Sequence, residues 1–303
     1  MLMTKLHDAE PDIDTKQVSL MVADQFPAWA GLTLEPVSSS GTDNVMLTLG
    51  DRLVVRLPRT AAAVPSISKE WKYPRILGPQ LPAPVPIPLA LGAPGRGYAW
   101  PWTVSGWLAG ENPSPGHAYG TEFAIDLANF IRALHAADVG NEAPAGPLRS
   151  YRGGPLAARN APTRSAIASC EGLLDVRLLT AAWDTARQVS EGEGKPVWIH
   201  TDLQPGNLLT AHARLAGVLD WGGLAIGDPA VDLIVAWNLL EDEGRAAFRD
   251  AVRVDQATWE RGRAWALSIG VTAYPYYLHT NPALAQVSRY QIEQVVADIS
   301  RTA

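Results

Sequence analysis

One stretch constrains this chain more than any other: Trp198-Ile199-His200-Thr201-Asp202-Leu203-Gln204-Pro205-Gly206-Asn207-Leu208-Leu209, followed by Gly217-Val218-Leu219-Asp220-Trp221. Apolar residues enter it and leave it, while its middle holds His, Asp and Asn around a Pro-Gly break. Apolar runs bounded by turn residues mark strands, so the stretch reads as strand, tight loop, short strand, turn, strand. A loop of this kind projects Asp202 and Asn207 into one cleft, and Asp220 arrives at the end of the next strand. Three oxygen side chains at these intervals suit Mg²⁺, a hard ion that prefers oxygen ligands and substrate phosphates.

The interval from His200 through Asp202 to Asn207 matches the protein-kinase catalytic loop, and Asp220 falls where kinases carry a metal-binding Asp. A third block, Gly227-Asp228-Pro229-Ala230-Val231-Asp232-Leu233, follows. The three blocks, in this order and spacing, resemble the aminoglycoside phosphotransferase family of antibiotic and small-molecule kinases. The resemblance extends more weakly from about Ser38 to the C-terminal helices. It implies an α+β, protein-kinase-like fold of two lobes: a small antiparallel-sheet N-lobe, residues 1–108, and a larger, mainly helical C-lobe, residues 109–303. It also implies transfer of the γ-phosphate of ATP or GTP to a hydroxyl of a small molecule. Asp202 is then the catalytic base, and Asn207 and Asp220 hold Mg²⁺. The leading acceptors are antibiotics of the aminoglycoside, macrolide or nucleoside type, with possible resistance as the consequence. The alternatives are a metabolic kinase for a sugar or amino alcohol, or a nucleotide-binding pseudokinase. A protein kinase is disfavoured, because no Gly-x-Gly-x-x-Gly loop and no Ala-Pro-Glu segment after Asp220 is present.

Upstream, the pattern fits an N-lobe. Asp14 or Thr15 caps an expected helix from Lys16 to about Phe26, which Pro27 ends. Leu32–Val37, Asn44–Leu49 and Leu53–Pro58 read as strands, the last two joined by a Gly50-Asp51 hairpin turn. The small residues Ser40, Gly41 and Thr42, with Asn44, make a loop whose backbone can approach phosphates closely. Arg56 stands where kinases place a strand lysine, and Glu70 is positioned to pair with it from the following helix. Arg is a planar fork and Lys a point charge, so this departure from the usual family pattern changes phosphate geometry while keeping the charge. The proline-rich residues 79–95 read as an extended connector, and Gly97–Leu108 as paired strands. Gly106, Trp107 and Leu108 form the segment expected beside the purine. Trp102 and Trp107 are read as packing residues.

Downstream of a Gly/Pro cluster at Ala109–Pro113, apolar periodicity switches from two to about 3.6. Helices are expected over Thr121–Ala136, within Ala166–Val189, over Ile234–Leu240 and Asp242–Val252, over Gln256–Tyr277 with a break at Pro275, and over Pro282–Ser300. Residues 139–162 read as a surface loop. His135 is assigned to packing or to the helix C-terminal charge, and His200 to fixing its own loop. Asp228 is a natural N-cap with Pro at N1, and Asp232 is expected to brace the catalytic loop.

Composition narrows the rest. A net charge of −6 argues against a general nucleic-acid binder. Residues 1–108 balance nine basic against nine acidic groups, whereas residues 109–303 carry 16 and 22, which reads first as a soluble acidic surface, with a cationic acceptor as the alternative. The single Cys170 excludes an internal disulfide and fits a reducing cytoplasm. No apolar run suggests a signal peptide or membrane span. A cytoplasmic monomer or homodimer with no nucleic-acid or membrane partner is the expectation.

Overall fold

Strict alternation of apolar side chains decides the first part of the chain. The computed structural model describes residues 5, 10–37, 43–143, 145–190, 192 and 194–302, with Pro147 and Thr302 described through their backbone alone. The chain divides into two compact units, one of Met1–Gln80, Pro84–Ala109 and Gly217–Gly222, the other of Leu81–Ala83, Gly110–Ala216 and Gly223–Ala303.

The first unit is an antiparallel sheet with two helices. Its elements are α1 (Thr15–Gln25), β1 (Leu34–Pro36), β2 (Asn44–Leu49), β3 (Leu53–Pro58), α2 (Val64–Leu77), β4 (Pro88–Gly92) and β5 (Trp102–Gly106). Asp14 caps α1, accepting from Gln17 N–H at 2.8 Å. The strand order is β1-β2-β3-β5-β4, so β3 is central. Val45, Leu47 and Leu49 of β2, Val55 and Leu57 of β3, and Trp102 and Val104 of β5 pack with Met21 and Val22 of α1 in one core. Arg56 lies between Val55 and Leu57 in sequence, and side chains alternate along a strand, so it points to the opposite face. The proline-rich connector becomes β4, tied to α2 by Arg75 Nε donating to the Pro88 carbonyl at 3.0 Å.

The second unit is mainly helical. It holds α3 (Thr121–Ala136), α4 (Asn160–Ala168), α5 (Val176–Ala186), β6 (Val197–Ile199), β7 (Leu208–Ala211), β8 (Arg214–Val218), β9 (Ala225–Gly227), α6 (Val235–Asn238), α7 (Asp242–Val252), α8 (Gln256–Tyr277) and α9 (Pro282–Thr302). The last two residues of β8 belong to the first unit. Strands β6 and β9 pair antiparallel, and β7 and β8 form a hairpin. Trp198 and Ile199 are buried, as are all three residues of β9. Helix α8 is buried over most of its circumference and packs against α9 and the 3₁₀ segment Pro229–Ile234. The Trp237 and Trp259 rings meet in this core with centres 4.7 Å apart and planes tilted by 48°.

The expected break at Pro275 does not occur, and α8 continues to Tyr277. A helical proline removes the hydrogen bond to the carbonyl four residues back. Here that carbonyl is Val271 O, and the buried Cys170 thiol donates to it at 3.8 Å. Tertiary packing thus satisfies the group that the proline orphans. Among the described residues, no helix is long and apolar enough to cross a membrane.

Gly92 is fixed by packing: a Cβ there would lie 2.0 Å from the Trp102 ring. That ring is fully buried and held by Nε1 donating to Ala93 O at 3.0 Å. Gly92→Ala should therefore destabilise the first unit by about 1–3 kcal/mol, as overpacking does. Urea unfolding checks this through a lowered midpoint at unchanged slope; an unmoved midpoint would show that the ring has room to shift.

Candidate active site

In the second unit, β6 delivers the chain to a loop whose backbone is strained. Thr201 has φ 75°, a left-handed conformation that a β-branched residue rarely takes. Such a residue persists only where its surroundings over-determine it, at a cost of about 1–3 kcal/mol. Asp232, wholly buried, supplies that restraint. One of its oxygens accepts from Thr201 N–H at 2.8 Å and the other from His200 N–H at 3.0 Å. The second oxygen also lies 3.0 Å from His135 Nε2. Thr201 Oγ1 donates to the Gly223 carbonyl at 3.1 Å. On the far side of the loop, Asn112 Nδ2 donates to the carbonyls of Gly206 and Leu208 at 3.1 and 2.8 Å, and Asn238 Nδ2 to Leu203 O at 2.9 Å.

Held this way, the loop presents Asp202 with both carboxylate oxygens engaged. Oδ1 accepts from Arg152 Nη1, and the same Nη1 donates to Thr201 O at 3.1 Å. Oδ2 accepts from Asn207 Nδ2 at 3.1 Å and Gln204 Nε2 at 3.3 Å. Asn207 Nδ2 also reaches Asp202 O at 2.9 Å. His200 Nδ1 accepts from Asp202 N–H at 3.4 Å, the loop-fixing role read from the sequence. Burial works against the Arg152 charge, but Asp202, and then Tyr151, outweigh it and raise its pKa.

The first unit holds a separate charged centre. Arg56 Nη2 lies 2.9 Å from Glu70 Oε1 and donates to Asp220 Oδ1 at 2.8 Å. With its amide oxygen turned toward Arg56, Asn44 accepts from Nη2 at 3.0 Å and Nε at 3.1 Å. Burial disfavours the Arg56 charge, yet Glu70 and Asp220 together raise its pKa. Glu70 is 7% exposed. Burial pushes its carboxyl up to about 7, Arg56 opposing and Asp220 adding to the rise. Burial also lowers the pKa of the neighbouring Lys69. Asp220 has φ 60°, which Asp tolerates better than most residues. After it, Gly222 is required by space, since a Cβ there would meet Ser66 Cβ at 2.8 Å and Glu70 Oε1 at 2.9 Å.

The structure therefore joins Arg56, Glu70, Asp220 and Asn44 in one unit, and Asp202 and Asn207 in the other. Ser40, Gly41 and Thr42 lie outside the described residues. Gly106 ends β5, and Trp107, 41% exposed, donates its N–H to the Arg52 carbonyl at 2.8 Å, with Leu108 next in the chain. Arg152, Gln204, Asn112 and the His135 contact escaped sequence reasoning. Gln204 sits inside the motif and was legible as a polar residue two positions from Asp202. Arg152 lies 50 residues away in a Gly/Pro-rich segment, and nothing local marks its target.

The side chains expected to hold Mg²⁺, Asn207 in the second unit and Asp220 in the first, are of the oxygen type this ion takes. This ion keeps several waters and takes one or two carboxylates plus substrate phosphates. No cluster of three or more His, Cys, Asp or Glu that could hold a metal occurs among the described residues. The Asn207 amide nitrogen is committed to Asp202, which leaves its oxygen as the atom with lone pairs for a cation. The Asp220 side chain is 41% exposed, with one oxygen bound to Arg56.

The family model described as "Phosphotransferase enzyme family" matches residues 33–265. Among solved structures, the chain is similar to the GDP complex of wild-type aminoglycoside 2′-phosphotransferase-IIIa, with 18% identity, a TM-score of 0.73, and coverage of 95% of this chain and 100% of that one. It is also similar to macrolide 2′-phosphotransferase from Brachybacterium faecium, as apoenzyme, with 20% identity, a TM-score of 0.63, and coverage of 92% and 97%. A type I macrolide 2′-phosphotransferase matches with 21% identity, a TM-score of 0.63, and coverage of 95% and 98%. No curated protein matches the chain. At these identities the structural likeness shows the fold, and it is the α+β kinase-like fold that the three sequence blocks imply.

Two outcomes follow from this geometry. Asp232→Ala strips two buried N–H groups of their acceptor, and breaking buried networks of this kind costs about 3–5 kcal/mol; a urea midpoint close to wild type would show that the loop holds its strain without Asp232. Glu70 yields a pH signature. Its folded carboxyl lies above the ordinary value of 4.5, so its contribution to stability is whole below that pH and is lost as pH rises through about 7. Between pH 5 and 8 the wild type should lose more Tm than Glu70→Gln, and parallel Tm profiles would refute the assignment.

Proposed function

The chain belongs to the phosphotransferase enzyme family, and on that footing we propose that it moves the γ-phosphate of ATP or GTP to a hydroxyl of a small molecule. The observation that carries the reading is the Asp202 carboxylate, oriented on both oxygens by Arg152, Asn207 and Gln204 in a loop that Asp232 locks in place. Phosphoryl transfer needs little covalent chemistry from a protein; it needs alignment, charge neutralisation and one group at the nucleophile. Asp202 orients the acceptor hydroxyl and takes its proton. Asn207 and Asp220 are the side chains for Mg²⁺, which when bound neutralises charge on the nucleotide phosphates. Arg56, braced by Glu70, holds the phosphates from the first unit, and its fork geometry suits bidentate contact. Asn44, against Arg56, adds an amide beside them. Because the Trp107 N–H is committed to Arg52, hydrogen bonds to the purine fall to Gly106 and Leu108.

The structural relatives are named as aminoglycoside and macrolide 2′-phosphotransferases, one of them a GDP complex. Those names make antibiotics the leading acceptor class. Nucleotide binding without transfer is the second reading, and the replacement of the strand lysine by Arg56 is what favours it.

Asp202→Ala separates the two. Loss of a positioned general base lowers turnover about 10²- to 10⁴-fold, while nucleotide affinity stays within a few-fold because Arg56 and Asp220 remain. A coupled assay of ADP or GDP release against hydroxylated acceptors, with titration of nucleotide binding in parallel, measures both. Turnover that survives unchanged in the variant would remove Asp202 from the reaction.

A further inference from the structure

Arg152 reaches the catalytic loop from a turn that the fold fixes in place. Gly153, next in the chain, has φ 80°, and a Cβ there would overlap Ile199 Cδ1. Its carbonyl accepts from Asp228 N–H at 2.8 Å. Gly227 faces that carbonyl, and a Cβ at Gly227 would meet its oxygen at 2.6 Å. Within the turn, Arg152 N–H donates to Ser150 Oγ at 3.1 Å and Gly154 N–H to the Tyr151 carbonyl at 3.2 Å. Ile199 ends β6, just before His200, and Gly227 ends β9, the strand paired with β6. The strand that delivers Asp202 therefore also anchors Arg152.

A count of donors and lone pairs shows what this pair leaves open. A guanidinium has five N–H donors. Nε is spent on the Tyr151 hydroxyl at 3.1 Å, and Nη1 on Asp202 Oδ1 and the Thr201 carbonyl. The two N–H groups of Nη2 have no partner among the described residues. On Asp202, Oδ2 accepts from two amides, whereas Oδ1 accepts from Arg152 alone among the described residues. Each carboxylate oxygen has room for about two donors, so Oδ1 keeps a lone pair. Both side chains reach solvent, Arg152 at 24% exposure and Asp202 at 30%. An open acceptor and two open, charged donors thus adjoin.

An acceptor hydroxyl that gives its proton to Asp202 takes the open place on Oδ1. The phosphorus it attacks lies one bond beyond that hydroxyl oxygen, which brings the phosphoryl oxygens to the Nη2 side. The transferring group spreads negative charge over three equatorial oxygens, and a carboxylate beside it is repulsive unless a cation stands between.

We propose that Arg152 is a catalytic residue: Nη1 holds Asp202 while Nη2 donates to a non-bridging oxygen of the transferring phosphoryl group. The acceptor O–H bond breaks and its proton passes to Asp202 Oδ1. The acceptor oxygen forms the new bond to phosphorus. The bond from the γ-phosphorus to the β,γ-bridging oxygen breaks, and its electron pair leaves with ADP or GDP. Arg152 stays charged throughout. The proposal rests on the phosphotransferase reading and adds a second side chain at the reacting atoms.

The test measures binding of Mg²⁺-ADP and Mg²⁺-GDP to the full chain, with and without aluminium fluoride, which mimics the transferring phosphoryl group. In the wild type, fluoride should tighten one diphosphate by about tenfold or more, the scale of hydrogen bonds from a charged donor. Arg152→Ala, and Arg152→Gln with its longer side chain, should lose that tightening while affinity for the diphosphate alone stays within a few-fold. Millimolar guanidinium should restore part of it to Arg152→Ala. The same loss should appear when Arg152→Ala is added to Asp202→Ala, because the contact is to phosphoryl oxygen. A loss that vanishes in the Asp202→Ala background would show that Arg152 acts only through Asp202, and it overturns the proposal. So does tightening that survives in both Arg152 variants. A wild type that tightens on neither diphosphate counts against the phosphotransferase reading and takes the proposal with it.

Discussion

Thr201 runs through a backbone conformation that its own side chain resists, and the buried carboxylate of Asp232 holds it there. A carboxylate without solvent is itself unfavourable unless its oxygens are satisfied. Asp232 meets that condition with two N–H groups and His135, and those contacts offset both the cost of burying the carboxylate and the cost of the strained turn. The result reaches past the turn. With His200 and Thr201 pinned, the next residue, Asp202, emerges in one direction, and Asn112 and Asn238 secure the carbonyls on its far side. The strain belongs to the positioning of the site, as is common where a backbone outlier adjoins functional side chains.

Each unit contains an arginine that would be unfavourable without its partners. Arg56 has Glu70, Asp220 and Asn44; Arg152 has Asp202 and the Thr201 carbonyl. In both places burial works against the charge and carboxylates outweigh it. The two centres differ in balance. Around Arg56, two carboxylates face one guanidinium, and burial, with Asp220 adding to it against Arg56, raises the Glu70 carboxyl to about 7. Around Arg152 the balance reverses, because Arg159 adds a second guanidinium near the same Tyr151 ring.

Much of the fold was legible because it follows local rules. β2 and β3 carry period-two alternation, and the structure places them at the expected residues. α3 and α7 carry helical periodicity and also match. Asp14 and Asp228 are caps in both readings. Local rules misjudged Pro275, because the Cys170 thiol that meets the orphaned carbonyl comes from a segment 101 residues away. The reading of residues 139–162 as a plain surface loop missed its contribution to the site for the same reason. Its Gly/Pro content correctly signals irregular backbone but says nothing about where Arg152 ends up.

The sequence by itself determined the identity and order of the candidate site residues. Asp202, Asn207 and Asp220 stand at spacings that strands and tight turns impose, and Arg56 and Glu70 stand on a strand and the helix that follows it. Those spacings are local geometry, and local geometry is written in residue order. Only the tertiary structure decided what surrounds these groups: Arg152 on Asp202, and Asp232 and His135 under the loop. Each of those contacts joins residues far apart in the chain. Their energy depends on burial and on distances through space, which no interval along the sequence encodes.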